Sequence, residues 1–401
     1  MSEDKLFRIC EFGEIITGST PLTNNNLFWN GEYNFYSPAD FTDSVYCFKT
    51  EKSLSKYGLK QGREIPKDSI LVTCIASIGK IAINGKPGIT NQQINTIVTN
   101  DRFDFKYVYY LLVHNSPKIK GIAAQTTIPI INKTDFGKIQ IFALSDKSNQ
   151  QKIAHILTTC DTVIEQTQSA IAKYKAIKQG LLHDLFTRGL DANGHLRPSY
   201  SEQPEFYKES ELGMIPKEWD VKRLEEIATM KSGDGITSKY ISNTGDFPVY
   251  GGNGLRGYTT TYTHEGDYVL IGRQGALCGN ITRVSDKFFA SEHAVVVTVN
   301  KDIDVDWLSQ KLDAMNLNQY SEASAQPGLA VTKILRLFIT KPQLNEQTEI
   351  GKRLLALDNK MNAEETLLQK YQSIKRGLMG DLLGGWKTVG DDGDAIMVRH
   401  A

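Results

Sequence analysis

The chain has 401 residues, of which 40% are hydrophobic, and its 46 basic residues balance 46 acidic ones. This length is too great for one ordinary core and predicts two domains with connecting elements, while the composition excludes a disordered chain. The neutral net charge does not point to a polyanionic partner, although a local basic face would still allow one.

Cysteine usage and the first residues indicate the compartment. The five cysteines are widely spaced and form no CxxC pair, which argues against a disulfide framework or a zinc knuckle. The start MSEDKLFRIC contains no apolar stretch of the kind found in secretory signals, and no segment approaches the length of a membrane span. We therefore expect a soluble, cytoplasmic protein.

Residues 1–148 predict a first β-rich domain. Within it, DSILVTCIASIGKIAI (68–83) has the pattern of a strand, a turn of small and polar residues, and a second strand. TNQQINTIV continues as another strand, and DFKYVYYLLVHN is typical of a short helix. Amides in such turns either read base edges or satisfy their own turn, and both interpretations stay open. The candidate DNA-contacting residues of this domain are Thr73, Ser77, Lys80, Asn91, Gln92 and Gln93.

Residues 149–187 predict a long helix. Its apolar residues recur at alternating spacings of four and three, which is the seam of a helix packed on another helix. The seam is polar once, at Thr167, and the helix would be roughly 57 Å long at ~1.5 Å per residue. The seam residues are Ile153, Leu157, Cys160, Ile164, Ile171, Tyr174, Ile177, Leu181 and Leu185.

The same organisation follows a second time. Residues 188–214 are rich in Gly, Pro, Ser and Glu and predict an exposed connector. Residues 215–344 repeat the domain pattern in GDYVLIGRQGALCGNI, ASEHAVVVTV and DVDWLSQKLDAM. Residues 345–384 predict a second long helix, and residues 385–401 a disordered tail. The second seam is polar at Glu364 and otherwise consists of Ile350, Leu354, Leu357, Met361, Leu368, Tyr371, Ile374, Leu378 and Leu382.

The two helices are a sequence repeat with an offset of 197 residues. KYKAIKQGLLHDLF (173–186) and KYQSIKRGLMGDLL (370–383) share eight of fourteen positions, and twelve positions match between 150 and 187. Two copies are too few for a solenoid. The simpler interpretation is that the helices pair within one chain and that the domains before them are related.

Glycine-rich turns carry the candidates of the second domain. YGGNGLRGY (250–258) is either a phosphate-binding nest or a tight β-turn, and the frequency of such turns favours the turn, although its arginine, asparagine and tyrosines would also suit DNA. LIGRQGALCGN places an arginine and a glutamine in a turn between strands, where they could pair with guanine and adenine or simply be solvated. The candidate DNA-contacting residues of this domain are Asn253, Arg256, Tyr258, Arg273, Gln274 and His293.

Motifs of enzymes are missing from the sequence. There is no GxxxxGK[ST] phosphate loop, no pair of histidines at metal spacing and no catalytic loop of an amino-methyltransferase. We therefore expect a non-catalytic chain without a metal site. An enzyme with an unfamiliar site remains an alternative for which no residues can be named.

The junction between the halves carries a family resemblance. FTRGLDANGHLRPS is followed by GMIPKEWDVKRLEEI, in which Gly213, Ile215, Pro216, Trp219 and Leu224 form a G-x-I-P-x-x-W-x-x-x-x-L phrase. This stretch resembles the entry into a target-recognition domain of the specificity (S) subunits of type I restriction–modification systems. The helix ends IKQGLLHDL and IKRGLMGDL, and the pieces TGSTP and ASIGKIAI, are similar to that family too.

The resemblance implies an α+β fold. Two β-rich target-recognition domains would be separated by two long antiparallel helices, which form an intramolecular coiled coil with a pseudo-two-fold internal repeat. The first domain lacks the G-x-I-P-x-x-W entry of the second, so a truncated or rearranged family member stays open.

The resemblance also implies a function. The chain would bind double-stranded DNA at a split, asymmetric target, with one half-site per domain and centres about one helical turn, ~10 bp, apart. Two methyltransferase (M) subunits using S-adenosylmethionine and two restriction (R) subunits using ATP and Mg²⁺ would be its partners, and the chain itself would hold no cofactor. The alternative is a coiled-coil interaction scaffold that binds proteins rather than DNA.

Overall fold

The computed structural model describes residues 5–123, 129–275, 277–321 and 328–384, together with the backbone of 387–389 and 395–397. The chain divides into two compact units, residues 1–169 with 365–401 and residues 170–364. Each unit combines one β-rich domain with segments of both long helices. The predicted α+β class, with two related domains and two long helices, is confirmed.

The first domain begins the chain and runs into the first long helix. Its strands are β1 Lys5–Arg8, β2 Gly13–Thr17, β3 Trp29–Tyr36, β4 Tyr46–Cys47, β5 Lys52–Leu54, β6 Glu64–Ile65, β7 Ile70–Thr73, β8 Ile81–Asn84, β9 Gly88–Thr90, β10 Ile94–Thr99 and β11 Gln140–Ala143. Its helices are α1 Ile9–Phe12, α2 Lys56–Leu59, α3 Phe105–His114, α4 Ser116–Ala123, α5 Lys133–Lys138 and the long α6 Lys147–Thr187.

The second domain has a similar series of elements and runs into the second long helix. Its strands are β12 Tyr207–Ser210, β13 Gly213–Pro216, β14 Asp220–Arg223, β15 Ala228–Ser232, β16 Phe247–Gly251, β17 Gly254–Thr259, β18 His264–Glu265, β19 Tyr268–Gly272, β20 Ile281–Val284, β21 Lys287–Ala290, β22 Ala294–Val299 and β23 Phe338–Lys341. Its helices are α7 Leu224–Ile227, α8 Val305–Ala314, α9 Val331–Leu335 and the long α10 Leu344–Leu383.

The two domains share one sheet topology. One sheet has the order β2-β10-β7-β8-β4 in the first domain and β15-β22-β19-β20 in the second. The other sheet has the order β5-β3-β9-β6 in the first domain and β17-β16-β21-β18 in the second. In this sheet β9 pairs parallel with β3, and β21 pairs parallel with β16. In both domains an early strand, β1 or β14, pairs antiparallel with the strand that leads into the long helix, β11 or β23.

A buried glutamine anchors the start of each long helix. Gln150 accepts a hydrogen bond from the Asp104 backbone N–H at 2.8 Å and donates one to the carbonyl of Leu144 at 2.9 Å. Gln347 makes the equivalent bonds to Asp304 and Pro342. Both glutamines are fully buried and lie 197 positions apart. The identity at this repeat position therefore has a structural cause, because an unpaired buried amide would be costly.

Each domain core is completed by the end of the helix that follows the other domain. In the first unit, Ile153 and Leu157 of α6 pack in one cluster with Met379 and Leu382 of α10. In the second unit, Ile350 and Leu354 of α10 pack in one cluster with Leu185 of α6. Leu185 and Leu382 occupy the same repeat position, and both are buried.

Reciprocal ion pairs accompany this packing. In the first unit Lys375 Nζ lies 2.5 Å from Asp161 Oδ1, and in the second Lys178 Nζ lies 2.6 Å from Asp358 Oδ1. The two aspartates are 197 positions apart, and so are the two lysines. The second carboxylate oxygen of each aspartate accepts a 2.6 Å hydrogen bond from its own domain, from Tyr110 OH or Gln310 Nε2. Burial and the charge of Asp161 both raise the pKa of Tyr110, so this phenol stays protonated and donates.

The helix segments within each unit are antiparallel. Asp161 lies opposite Lys375, whereas Leu157, nearer the start of α6, shares a cluster with Met379, nearer the end of α10. Among the predicted seam residues, Ile153, Leu157, Ile164, Ile171, Leu185, Ile350, Leu354 and Leu382 are buried, and Cys160, Tyr174, Leu181, Leu357, Met361, Leu368, Tyr371 and Leu378 are half-buried. The seam prediction is wrong at Ile177 and Ile374, which are 45% and 44% exposed. A 3.6-residue turn drifts away from a strict seven-residue pattern, so a periodic apolar residue need not face the partner helix.

The predicted exposed connector is ordered and partly buried. Arg197 is buried, and its guanidinium lies 2.6 Å from both Glu346 Oε1 and Glu218 Oε2. Trp219 donates from Nε1 to Glu346 Oε2 at 3.0 Å, so the tryptophan of the G-x-I-P-x-x-W phrase has a structural contact at the start of α10. Residues 207–210 and 213–216 form the hairpin of β12 and β13. The connector folds here around Arg197, whose charge is neutralised by the two glutamates.

Two short strands are described within the C-terminal tail. β24 Lys387–Val389 pairs antiparallel with β25 Ala395–Met397, while the other tail residues lie outside the described residues. The sequence did not predict these strands because each has only three residues. No helix in the described part of the chain is both long and apolar enough to cross a bilayer.

The reciprocal ion pairs predict a local stability effect. Asp161→Ala removes the carboxylate that accepts from Tyr110 and pairs with Lys375, and should lower the free energy of unfolding by about 1.5–3 kcal/mol, the range for hydrogen bonds to charged groups. Glu165→Ala, one turn further along α6 at an exposed position, is the matched control and should change it by less than ~0.5 kcal/mol. Urea denaturation of both variants measures the difference, and equal effects would contradict the assignment.

Lys311 predicts a pH dependence in the second domain. Its Nζ lies 4.9 Å from the centre of the Phe186 ring and donates to Thr340 Oγ1 at 3.1 Å, and burial lowers the pKa of the amine to about 8. Between pH 8 and its ordinary value of 10.5, the unfolded chain binds a proton that the folded chain lacks. Stability contributed by this group therefore rises with pH across that window. Lys311→Met should remove this rise, as measured by denaturation at several pH values, and an unchanged slope would contradict the prediction.

Candidate nucleic-acid interface

Several turns of the second domain meet at one end of its sheets. A Cβ placed on Gly252, at the tip of the β16–β17 hairpin, would lie 3.1 Å from the carbonyl O of Gln274 and 3.3 Å from that of His293. The Arg273 N–H donates to the His293 carbonyl at 2.9 Å. These contacts define the second turn cluster, which consists of residues 232–236, 251–256, 273–275 and 291–293.

Exposed and half-buried polar side chains of the second turn cluster contact one another. Arg273 Nη1 lies 3.1 Å from Ser232 Oγ. His293 Nδ1 lies 3.1 Å from Gln274 Oε1, and its Nε2 lies 3.2 Å from Glu292 Oε1. The structure therefore brings the predicted residues Arg273, Gln274 and His293 together.

Glu292 carries a negative charge within this group. Partial burial raises the pKa of its carboxyl. This effect is outweighed by backbone hydrogen bonds from its own N–H and from Ile236, and by the charges of His293 and Arg256, all of which lower the pKa. The net pKa lies below the ordinary value. The carboxylate is thus an acceptor only at neutral pH.

The YGGNGLRGY stretch is a β-hairpin, in agreement with the favoured turn interpretation. Gly252 and Asn253 form a two-residue turn between β16 and β17, and Gly254 has a φ of 80°. Asn253 and Arg256 are exposed, whereas Tyr258 is half-buried and exchanges backbone hydrogen bonds with Ser242. A Cβ on Gly251 would lie 2.4 Å from Arg256 Cδ, so the glycine lets the arginine fold across the strand.

The first domain places its turns in the same way. Cys74 N–H donates to the Gln93 carbonyl at 2.7 Å, as Arg273 does to His293. The Asn91 N–H donates to the Tyr36 carbonyl at 2.9 Å, as Ser291 does to Tyr250. The first turn cluster consists of residues 17–20, 74–79 and 91–93.

The three consecutive amides of the first domain have different surroundings. Asn91 Nδ2 donates to Gln93 Oε1, and the Gln93 backbone N–H donates to Asn91 Oδ1, both at 3.0 Å. These two side chains satisfy their own turn. Gln92 is exposed and accepts a hydrogen bond from Thr20 Oγ1 at 2.5 Å. Its side-chain NH₂ makes no hydrogen bond with the described residues.

Thr73 is wrongly predicted as a DNA contact. It is fully buried, and its hydroxyl bonds the backbone of Ser77 and Lys80, which closes the turn after β7. A residue in this position cannot reach a base edge. Ser77 and Lys80 are exposed, but Lys80 lines a shallow pocket with residues 41–43, and no contact joins it to Gln92 within the described residues.

Two functional candidates were missed in the sequence. Glu292 could have been found by aligning TNQQ with ASEH, because it occupies the position of Gln92. Arg63 had no sequence signal. It is exposed, and its Nη1 donates to the Thr17 carbonyl at 2.6 Å, so it lies at the end of β2 beside the first turn cluster.

Metal ligation finds no support in the part of the chain that the structure describes. No group of three or more His, Cys, Asp and Glu side chains there could hold a metal ion. The arrangement instead offers hydrogen-bond donors and acceptors on rigid turns, which is what contact with base edges and phosphates requires.

A family model and several curated relatives match the chain. The model described as "Type I restriction modification DNA specificity domain" matches residues 1–174 and 216–373. The chain is 31% identical to the type I restriction enzyme EcoprrI specificity subunit of Escherichia coli, over 86% of this chain and 85% of that protein. It is 23% identical to the MjaVIII specificity subunit of Methanocaldococcus jannaschii, over 95% and 92%.

A solved structure has the same fold. The crystal structure of the type I restriction–modification S subunit from M. genitalium superposes with a TM-score of 0.70 at 22% identity, and covers 95% of this chain and 96% of that one. At this identity the likeness concerns the fold.

Proposed function

We propose a function from the premise that the chain belongs to the family of DNA specificity subunits of type I restriction–modification systems. Each turn cluster binds one half-site of a split, asymmetric DNA target. The observation that carries this proposal is that the two domains hold their turns with the same backbone hydrogen bonds but present different side chains. Like scaffolds with unlike side chains suit two half-sites of different sequence.

The side chains of the second turn cluster suit DNA contact. Arg256 and Arg273 are exposed and can bind phosphate or the O6 and N7 atoms of guanine. Gln274 and His293 add donors and acceptors beside them. Gln92 of the first turn cluster offers an amide, and Arg63 beside that cluster offers a cation. The zero net charge is compatible with this function if partner subunits supply much of the phosphate contact.

Catalysis belongs to partner subunits in this proposal. Methyltransferase subunits bind S-adenosylmethionine and methylate adenine, and restriction subunits use ATP and Mg²⁺ for cleavage. The chain supplies sequence recognition and docking in the cytoplasm, without a cofactor of its own.

A duplicated surface supports two methyltransferase subunits per chain. Ile177 and Ile374 are exposed to nearly the same extent and lie 197 positions apart. One turn later, Gly180 and Gly377 lie inside the continuous helices, and a Cβ on either would meet no described atom within 4 Å apart from the neighbouring backbone of its own helix. A glycine in a helix interior costs roughly 0.5–1 kcal/mol relative to alanine. Close approach of a partner at each patch would explain both features.

Methylation mapping tests the function. Genomic adenine methylation is compared in cells with and without this chain, co-expressed with the methyltransferase subunit encoded beside it. We expect a new motif of two short half-sites around a fixed gap. No new methylation, with the partner active and bound, would overturn the proposal and favour a protein-binding scaffold.

Variants of the duplicated patch test the stoichiometry. Ile177→Asp or Ile374→Asp places a charge in one apolar contact and should reduce the complex from two methyltransferase subunits to one, while the double variant binds none. Gln179→Asp, an exposed position of α6 next to the first patch, is the matched control and should keep two subunits. Native mass spectrometry counts the subunits. Two subunits on the double variant would contradict the assignment of the patches.

A further inference from the structure

Position 92 of the first domain and position 292 of the second are the same place in the fold. Each lies between two backbone hydrogen bonds that fix its turn. The bonds before it are Asn91 to Tyr36 and Ser291 to Tyr250, both 2.9 Å. After this position, the Cys74 N–H donates to the Gln93 carbonyl at 2.7 Å, and the Arg273 N–H donates to the His293 carbonyl at 2.9 Å. The backbone is therefore held alike, and only the side chain differs.

In both domains, the side-chain oxygen at this position accepts a hydrogen bond from the same neighbouring segment. Gln92 Oε1 accepts from Thr20 Oγ1 at 2.5 Å, and Glu292 Oε2 accepts from the Ile236 N–H at 3.3 Å. Both donors belong to the segment that follows the first strand of the main sheet, β2 or β15. Holding the side chain in this way reduces the rotamer entropy lost when a ligand binds.

The two side chains differ in hydrogen-bonding chemistry. The Gln92 amide has a donor and an acceptor, which match N7 and N6 of adenine in the major groove. The Glu292 carboxylate only accepts, and it suits the N4 amine of cytosine, because the N6 amine of adenine has the acceptor N7 beside it on the same base. A carboxylate at a DNA-facing surface is repelled by phosphates, so pairing with an exocyclic amine gives its presence there a chemical reason.

We propose that residues 92 and 292 are equivalent base-reading positions, at which Gln92 specifies an adenine in the first half-site and Glu292 a cytosine in the second. This inference rests on the proposed function. It adds the residue in each domain that sets one base of each half-site. Arg256 and Arg273 then position the second half-site around the Glu292 contact.

A purely structural explanation of Glu292 makes a different prediction. Its Oε1 lies 3.2 Å from His293 Nε2, so the carboxylate could serve only to hold that imidazole. In that case Glu292→Gln, which keeps the size and the acceptor oxygen, would alter affinity for all sequences alike. A reading position instead changes the preferred base at one position and leaves the other half-site unchanged.

The test is the methylation motif of the complete complex with Glu292→Gln or Gln92→Glu. We expect Glu292→Gln to change the preferred base at one position of the second half-site from cytosine to adenine. The change should be about 5- to 150-fold, the equivalent of the 1–3 kcal/mol typical of base discrimination. Gln92→Glu should make the opposite change in the first half-site. Asp246→Asn, which removes an exposed carboxylate of the same domain outside the turn cluster, is the control and should leave the motif unchanged.

The outcomes separate the inference from the proposed function. A normal motif in both variants, or a uniform loss of methylation in complexes that assemble and melt like the wild type, would overturn the inference while the wild-type motif upholds the function. Absence of a split motif for the wild-type complex would overturn both.

Discussion

The structure depends on one packing constraint, which is that neither domain core is complete without the end of the helix that follows the other domain. Leu185 is buried in the core of the second unit and Leu382 in that of the first, at the same position of the repeat. Burying a leucine stabilises a fold by roughly 1.5–3 kcal/mol. Each half of the chain therefore needs the other half to bury its helix end.

Polar contacts add specificity to this packing. The pairs Asp161–Lys375 and Lys178–Asp358 join a residue of one helix to the equivalent partner position of the other. An apolar seam alone would tolerate a shift of one helix turn, whereas a half-buried charge displaced from its partner would be costly. The ion pairs thus favour a single register between the helix segments. Reciprocal pairing of this kind is the intramolecular equivalent of an isologous interface.

These contacts explain which parts of the fold could be predicted. The helix bounds agree with the prediction to within two residues, because apolar spacing is a strong signal over forty-residue segments. Four of the twelve identities of the repeat fall at Gln150, Asp161, Lys178 and Leu185, where burial constrains the residue type. The salt bridge of Arg197 with Glu346 spans 149 positions, and no local sequence pattern predicts a contact between residues so far apart.

The candidate site was harder to predict than the fold. Turn composition located the right loops, but it did not distinguish the buried Thr73 from the exposed Gln92. The difference depends on which side chain closes the turn, and this is decided by backbone geometry rather than by residue type. Glu292 was overlooked because acids are not expected at a DNA surface, although its position follows from the alignment of the two domains.

Disulfide trapping distinguishes whether the two equivalent turn clusters read different half-sites. A cysteine is placed at position 92 or 292, and the DNA carries a thiol-tethered base in one half-site at a time. The exposed Cys10 is first replaced by serine to remove a competing thiol. We expect Gln92→Cys to be trapped by one half-site alone and Glu292→Cys by the other alone. Trapping of both cysteines by the same half-site, or of neither in a complex that still methylates its target, would contradict it.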